Sequence, residues 1–181
     1  RDDAVCLTKW VKSDWGAGKM KISTDNGHMR NRFGDVKAIE MIARAGFDGI
    51  DYTFYDIDPR CDILALPEQQ RRSLASQVRR CASDHAIVFP QAHAPYGCRP
   101  GETKGAKSYQ EVLHSMEFAA EIGCKQIVIH TLKFPKEKPQ MEADAFNREF
   151  LRSFLPYADE LDLEIGVENL FIRDAGCGCV R

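Results

Sequence analysis

The chain has 181 residues, 44% hydrophobic and 29% charged, the size and make-up of a globular domain with a sizeable core. Lys plus Arg (25) nearly balances Asp plus Glu (27), and the net charge of −2 argues against a dedicated binder of nucleic acid or of an anionic membrane. No apolar run approaches the roughly 18 residues of a membrane span. No apolar core follows Arg1-Asp2-Asp3 as a signal peptide requires, and seven scattered cysteines read as reduced thiols, so a cytoplasmic location is expected.

In chain order, Arg1 to Lys19 reads as an extension that holds both tryptophans, Trp10 and Trp15, and is expected to add little to a central sheet. Met20-Lys21-Ile22-Ser23 reads as a first strand. Val36, Ile39, Ile42 and Ala43 then recur at helical spacing. A second strand runs from Gly49 to Phe54, and a second helix is marked by Leu74, Val78, Cys81 and Ala82. Ala86-Ile87-Val88-Phe89 forms the third strand, and Tyr109, Val112, Leu113, Met116 and Ala120 mark the third helix. Gln126-Ile127-Val128-Ile129 is the fourth strand. Phe146, Phe150, Phe154, Tyr157, Ala158 and Leu161 predict one helix with an aromatic core face, and Leu163 to Val167 a fifth strand.

The joints repeat. Ala45-Gly46-Phe47-Asp48-Gly49-Ile50 and Ile122-Gly123-Cys124-Lys125-Gln126-Ile127 each end a helix on a glycine and begin a strand within a few residues. Strand markers at Lys21, Gly49, Ile87, Gln126 and Glu164 are spaced 28, 38, 39 and 38 residues apart. A βα unit of near-constant period predicts parallel strands in sequential order with helices outside. Strand-to-helix loops are long and rich in Gly and Pro (Tyr55 to Pro67, Ala94 to Gly105, Thr131 to Gln140), whereas returns to the next strand are short. That asymmetry suits an α/β fold of the barrel type, whose active site lies at the strand C-termini. A doubly wound open sheet shares it, but no Gly-x-Gly-x-x-Gly or P-loop follows any strand. A full (β/α)8 barrel needs about 250 residues. The expectation is therefore a partial, C-terminally truncated barrel over residues 20–169, flanked by an extension (1–19) and a tail (170–181).

His93, His130 and Glu168 fall at the C-terminal ends of consecutive predicted strands, which would bring them to one rim. A single strand-end His or Glu usually caps or hydrogen-bonds. Three in register favour a site, and two imidazoles with a carboxylate suit zinc, manganese, cobalt or iron.

Ala43-Arg44-Ala45-Gly46-Phe47-Asp48-Gly49-Ile50-Asp51, Ala92-His93-Ala94-Pro95-Tyr96, Ile127-Val128-Ile129-His130 and Gly166-Val167-Glu168-Asn169 occur in order over about Met20 to Asn169. Together they resemble the xylose-isomerase-like superfamily of TIM barrels, which holds sugar and sugar-phosphate isomerases and epimerases, inositol-catabolic enzymes and apurinic-site endonucleases. The resemblance implies a divalent metal (manganese, zinc, cobalt or magnesium) held by His93, His130 and Glu168. It also implies Glu168 as the catalytic proton carrier beside a substrate carbonyl, and Tyr96 and Asn169 as weaker candidates for sugar or polyol contacts. Family members complete the metal site from strands six to eight, which are not visible in this sequence, and Cys177-Gly178-Cys179 does not align with the family pattern. A Cys-x-Cys tail suits a soft metal, but an unstructured end is the simpler reading.

The leading expectation is a sugar or sugar-phosphate isomerase or epimerase; whether this stretch alone is active is left open. The alternatives are zinc-dependent apurinic-site phosphodiester hydrolysis and a non-catalytic barrel fragment. Against the nuclease stand the charge balance and a single modest basic patch, Lys133, Lys136 and Lys138, interrupted by Glu137. A five-stranded fragment has two open sheet edges, for which self-association into a homo-oligomer is one remedy.

Overall fold

The structure is a computed structural model that describes residues 20–55, 62–102, 104–135 and 137–168. The predicted extension (1–19), the tail, Asn169 and both Trp residues lie outside them. Five short strands form one sheet in the order β1 (Ser23–Asp25), β2 (Gly49–Thr53), β3 (Ala92–His93), β4 (Gln126–Val128) and β5 (Glu164–Gly166). Every neighbouring pair is parallel. The architecture is a partial α/β barrel wall, as the constant βα period predicts.

Among the described residues six α-helices return the chain on one side of this wall: α1 (Gly27–Phe33), α2 (Asp35–Arg44), α3 (Glu68–Asp84), α4 (Lys107–Ile122), α5 (Gln140–Arg152) and α6 (Leu155–Leu161). Consecutive helices α1 to α4 pack side by side, with α6 against α4. The core lies between helices and sheet. Ile50, Tyr52, Phe54, Ile127 and Ile129 from the strand side meet Ile39, Val78, Val112, Met116 and Phe154 from the helices. Tyr52 is its aromatic centre, with Phe54, Phe89 and Phe118 rings 5.0 to 5.8 Å away. Gly46 (φ +90°) and Gly123 (φ +95°) take the left-handed conformation that turns α2 and α4 back toward the sheet, as the repeated joints predict.

Three local expectations are corrected, and one element is new. The first strand sits further along the chain than Met20 to Ser23: Met20 and Ile22 are exposed, and the ladder runs from Ser23↔Gly49 to Asp25↔Asp51. Ala86 to Phe89 is not a strand. Ala86 (φ +54°) and Ile87 belong to the turn that closes α3, with the Ile87 N–H bonded to the Ala82 carbonyl. Val88 makes only an isolated bridge to Gly49, and Pro90 has no N–H to donate, so regular pairing resumes at Ala92. The aromatic helix is two helices, because Pro156 in the first turn of α6 cannot donate to the turn before it. Phe154 at the joint is fully buried, whereas Phe146 is exposed and lies against Phe134. Finally, α1 went unpredicted, since Gly27-His28-Met29-Arg30-Asn31-Arg32-Phe33 has no apolar period.

Candidate metal centre

Sheet register sets the site. Thr53, His93, Val128 and Gly166 stand in one row across β2 to β5. Side chains alternate between faces along a strand, so His130 and Glu168, two residues past Val128 and Gly166, return to the face that carries His93. The ladder continues beyond the strands at this rim, through Ala94 N–H to the Val128 carbonyl (2.9 Å) and Ile129 N–H to the Gly166 carbonyl (3.0 Å). One ligand atom from each of His93, His130 and Glu168 lies within 4.8 Å of the other two.

Each side chain is held differently. His93 Nδ1 is 2.8 Å from Asp51 Oδ1, and the Gln91 amide donates to Asp51 Oδ2 at 2.7 Å. Asp51 thereby fixes the ring, and Nε2 is the nitrogen left to bind. The hydrogen bond to Asp51 raises the His93 pKa above the ordinary imidazole value, against the opposing effect of burial. His130 is 7% exposed, and neither ring nitrogen makes a hydrogen bond. Its Nε2 lies 3.3 Å from Glu168 Oε2. Burial pushes its pKa down to about 4, so the ring is neutral at pH 7 with a lone pair available. The Glu168 carboxylate is the most open of the three.

Aromatic rings frame the pair. Tyr96 stacks on His130 with centroids 3.8 Å apart and planes 28° from parallel, and Tyr55 sits edge-on to His93 at 5.9 Å. Of the residues singled out in the sequence, His93, His130, Glu168 and Tyr96 come together here, and Asn169 lies outside the described residues. Asp51, Gln91 and Tyr55 were not singled out. Alternation along β2 could have found Asp51: Ile50, Tyr52 and Phe54 pack toward the helices, so Asp51 belongs to the face of His93.

The donor set fits a divalent metal. A buried imidazole without a hydrogen bond is costly unless something accepts its lone pair. Two nitrogens and a carboxylate oxygen suit zinc or manganese, and a histidine backed by a carboxylate is the usual support for such a ligand. With bonds near 2 Å, one ion bridges ligand atoms no more than about 4 Å apart, so atoms that now lie within 4.8 Å of one another would draw together to share it.

Residues 39–179 match the family model described as xylose isomerase-like TIM barrel. The chain belongs to that family. Among solved structures, the xylose isomerase-like chain resembles the apo 3-keto-D-glucoside 4-epimerase YcjR of E. coli at 17% identity and a TM-score of 0.60, over 84% of this chain and 57% of that one. It is likewise similar to an AP endonuclease, family 2, from Brucella melitensis (15%, TM-score 0.57, 85% and 57%). A third neighbour is an IOLI protein with a zinc atom bound (17%, TM-score 0.55, 82% and 51%). At such identities the likeness is one of fold. The chain spans little more than half the length of each. No curated protein matches it by sequence.

Proposed function

We propose that this chain carries the metal-binding half of a sugar isomerase or epimerase site, with His93, His130 and Glu168 as ligands of one divalent ion. What carries the reading is the buried His130 ring, without hydrogen bonds, beside a second imidazole and a carboxylate within 4.8 Å. When bound, such an ion polarises the carbonyl and neighbouring hydroxyl oxygens of a sugar and so acidifies the intervening C–H bond. His93, oriented by Asp51, and His130, stacked under Tyr96, hold their rings fixed for that task. Glu168 takes the proton from the carbon beside the carbonyl on one carboxylate oxygen and returns it to the adjacent carbon from the same face, as isomerisation requires; epimerisation would need a second acid on the opposite face. Tyr96, partly exposed over His130, offers a ring face and a hydroxyl to the sugar. The neighbours include an epimerase and an endonuclease, so they do not separate sugar from nucleic acid; the charge balance of the chain favours the sugar.

The test is zinc content after dialysis together with solvent deuterium uptake at the carbon beside the carbonyl of a ketose. The chain should retain about one zinc and catalyse exchange, and Glu168→Gln should lose both while its circular dichroism stays unchanged. A variant that keeps its zinc would remove Glu168 from the ligand set.

A further inference from the structure

The register of the sheet extends the inward face to β1. Asp25 pairs with Asp51, which stands two residues before Thr53, the ladder partner of His93. Glu168 stands two residues past Gly166, which shares the His93 row through Val128. Asp25 is thus set back from His93 by two residues over two strands, as His93 is from Glu168. One residue per strand is the stagger of an eight-stranded barrel with a shear of eight, and alternate strands of such a barrel fill common layers. Strands one, three and five therefore bring Asp25, His93 and Glu168 to one level, and the ligand atoms of the last two do meet within 4.8 Å. In a ring of eight the first strand faces the fifth, so Asp25 stands across the mouth from Glu168.

Asp25 is exposed and lies outside the group that converges on the proposed ion. The Gly27 N–H donates to its Oδ1 at 3.0 Å and fixes the carboxylate. Among the described residues no cation pairs with Asp25 and nothing engages its Oδ2. Asp51, Glu168 and Asp25 all act on His93 as negative charges, so this side of the mouth suits hydroxyl donors better than an anionic group. We infer that the free carboxylate oxygen of Asp25 accepts a hydroxyl of the sugar, which lies across the mouth with its reacting carbon at Glu168. Asp25 is then a specificity-determining contact that selects sugars by the position of that hydroxyl. The inference rests on the sugar reading above and adds to it a residue of β1, the strand farthest from Glu168 in the described sheet.

Calorimetric titration of the zinc-loaded chain with D-fructose and its 1-, 3-, 4- and 6-deoxy analogues tests this. At least one analogue should bind the parent about 10- to 100-fold more weakly than D-fructose, the range for a hydrogen bond to a charged acceptor. Asp25→Asn keeps an oxygen for the Gly27 N–H and replaces the other by an amide. It should bind D-fructose more weakly by a similar factor and show no further penalty for that one analogue, because the two changes remove the same contact. Its zinc content and circular dichroism should match those of the parent. Analogue penalties that all survive in the variant, an unchanged D-fructose affinity, or loss of zinc, which would make Asp25 a metal ligand, would each overturn the inference. A zinc-loaded parent that binds no D-fructose defeats the sugar reading itself, whereas D-fructose bound equally by parent and variant defeats only the role of Asp25.

Discussion

Asp51 shows how a side chain with no metal contact can govern one that has it. Its carboxylate holds His93 Nδ1 at 2.8 Å and is itself held by Gln91 at 2.7 Å, so the ring cannot turn without breaking a chain of two hydrogen bonds. Asp51→Asn should therefore weaken zinc about 10- to 100-fold without removing a ligand, as measured by competition with a chromophoric chelator. An unchanged affinity would mean that His93 is positioned by packing alone. A second residue-scale expectation concerns Asp35, the first residue of α2. Burial raises its carboxyl pKa, with the Tyr52 hydroxyl and the Arg30 guanidinium partly offsetting the shift. The folded state then binds the extra proton, so the stability contributed by this residue falls as pH rises from about 4 through the raised pKa. Asp35→Asn cannot ionise, so urea midpoints between pH 4 and 7 should show the parent losing ground to the variant as pH rises. Parallel curves would contradict this. His93, His130 and Glu168 were legible as residues because strand ends mark the rim. Asp51 was passed over: alternation along β2 gives its face, but its role shows only when register sets it beside His93.

Elements were legible where burial imposes a period. The apolar stripes of α2, α3 and α4 and the glycines after α2 and α4 gave clear helices, while β3 failed because Ile87 and Phe89 of its apolar run pack into the core from outside any ladder. The short helix α1 was illegible for another reason: polar contacts hold it. Asn26, fully buried at its N-terminus, accepts the Thr53 N–H at 3.0 Å, and the Arg30 guanidinium donates to the Thr53 carbonyl. Two side chains thus satisfy the end of β2, on the strand beside His93 and in the same row, where a further strand residue would otherwise do so. Asn26→Ala strands the Thr53 N–H and should cost about 1 to 3 kcal/mol, read from the urea midpoint. No loss would show that another group or water takes over that donor.

On the scale of the whole molecule, the described sheet has β1 and β5 as its edges, and its two faces differ in kind. The helix-facing side is continuous core, whereas the other carries Asp51, Gln91, His93 and Glu168. Parallel strands buried on both faces would read as unbroken apolar runs. Here polar residues alternate with core residues, and the near-constant βα period, which fixes where each strand ends, is what made barrel and site visible together in one sequence. No helix among the described residues is long and apolar enough to cross a membrane. Seven cysteines in the chain give zinc a competing set of soft ligands, so retention alone does not say where the ion sits. X-ray absorption at the zinc edge of the loaded chain does. Nearest neighbours at about 2.0 to 2.1 Å with imidazole scattering and no sulfur are expected from His93, His130 and Glu168. A sulfur shell at about 2.3 Å would put the metal on cysteine and contradict the proposed centre.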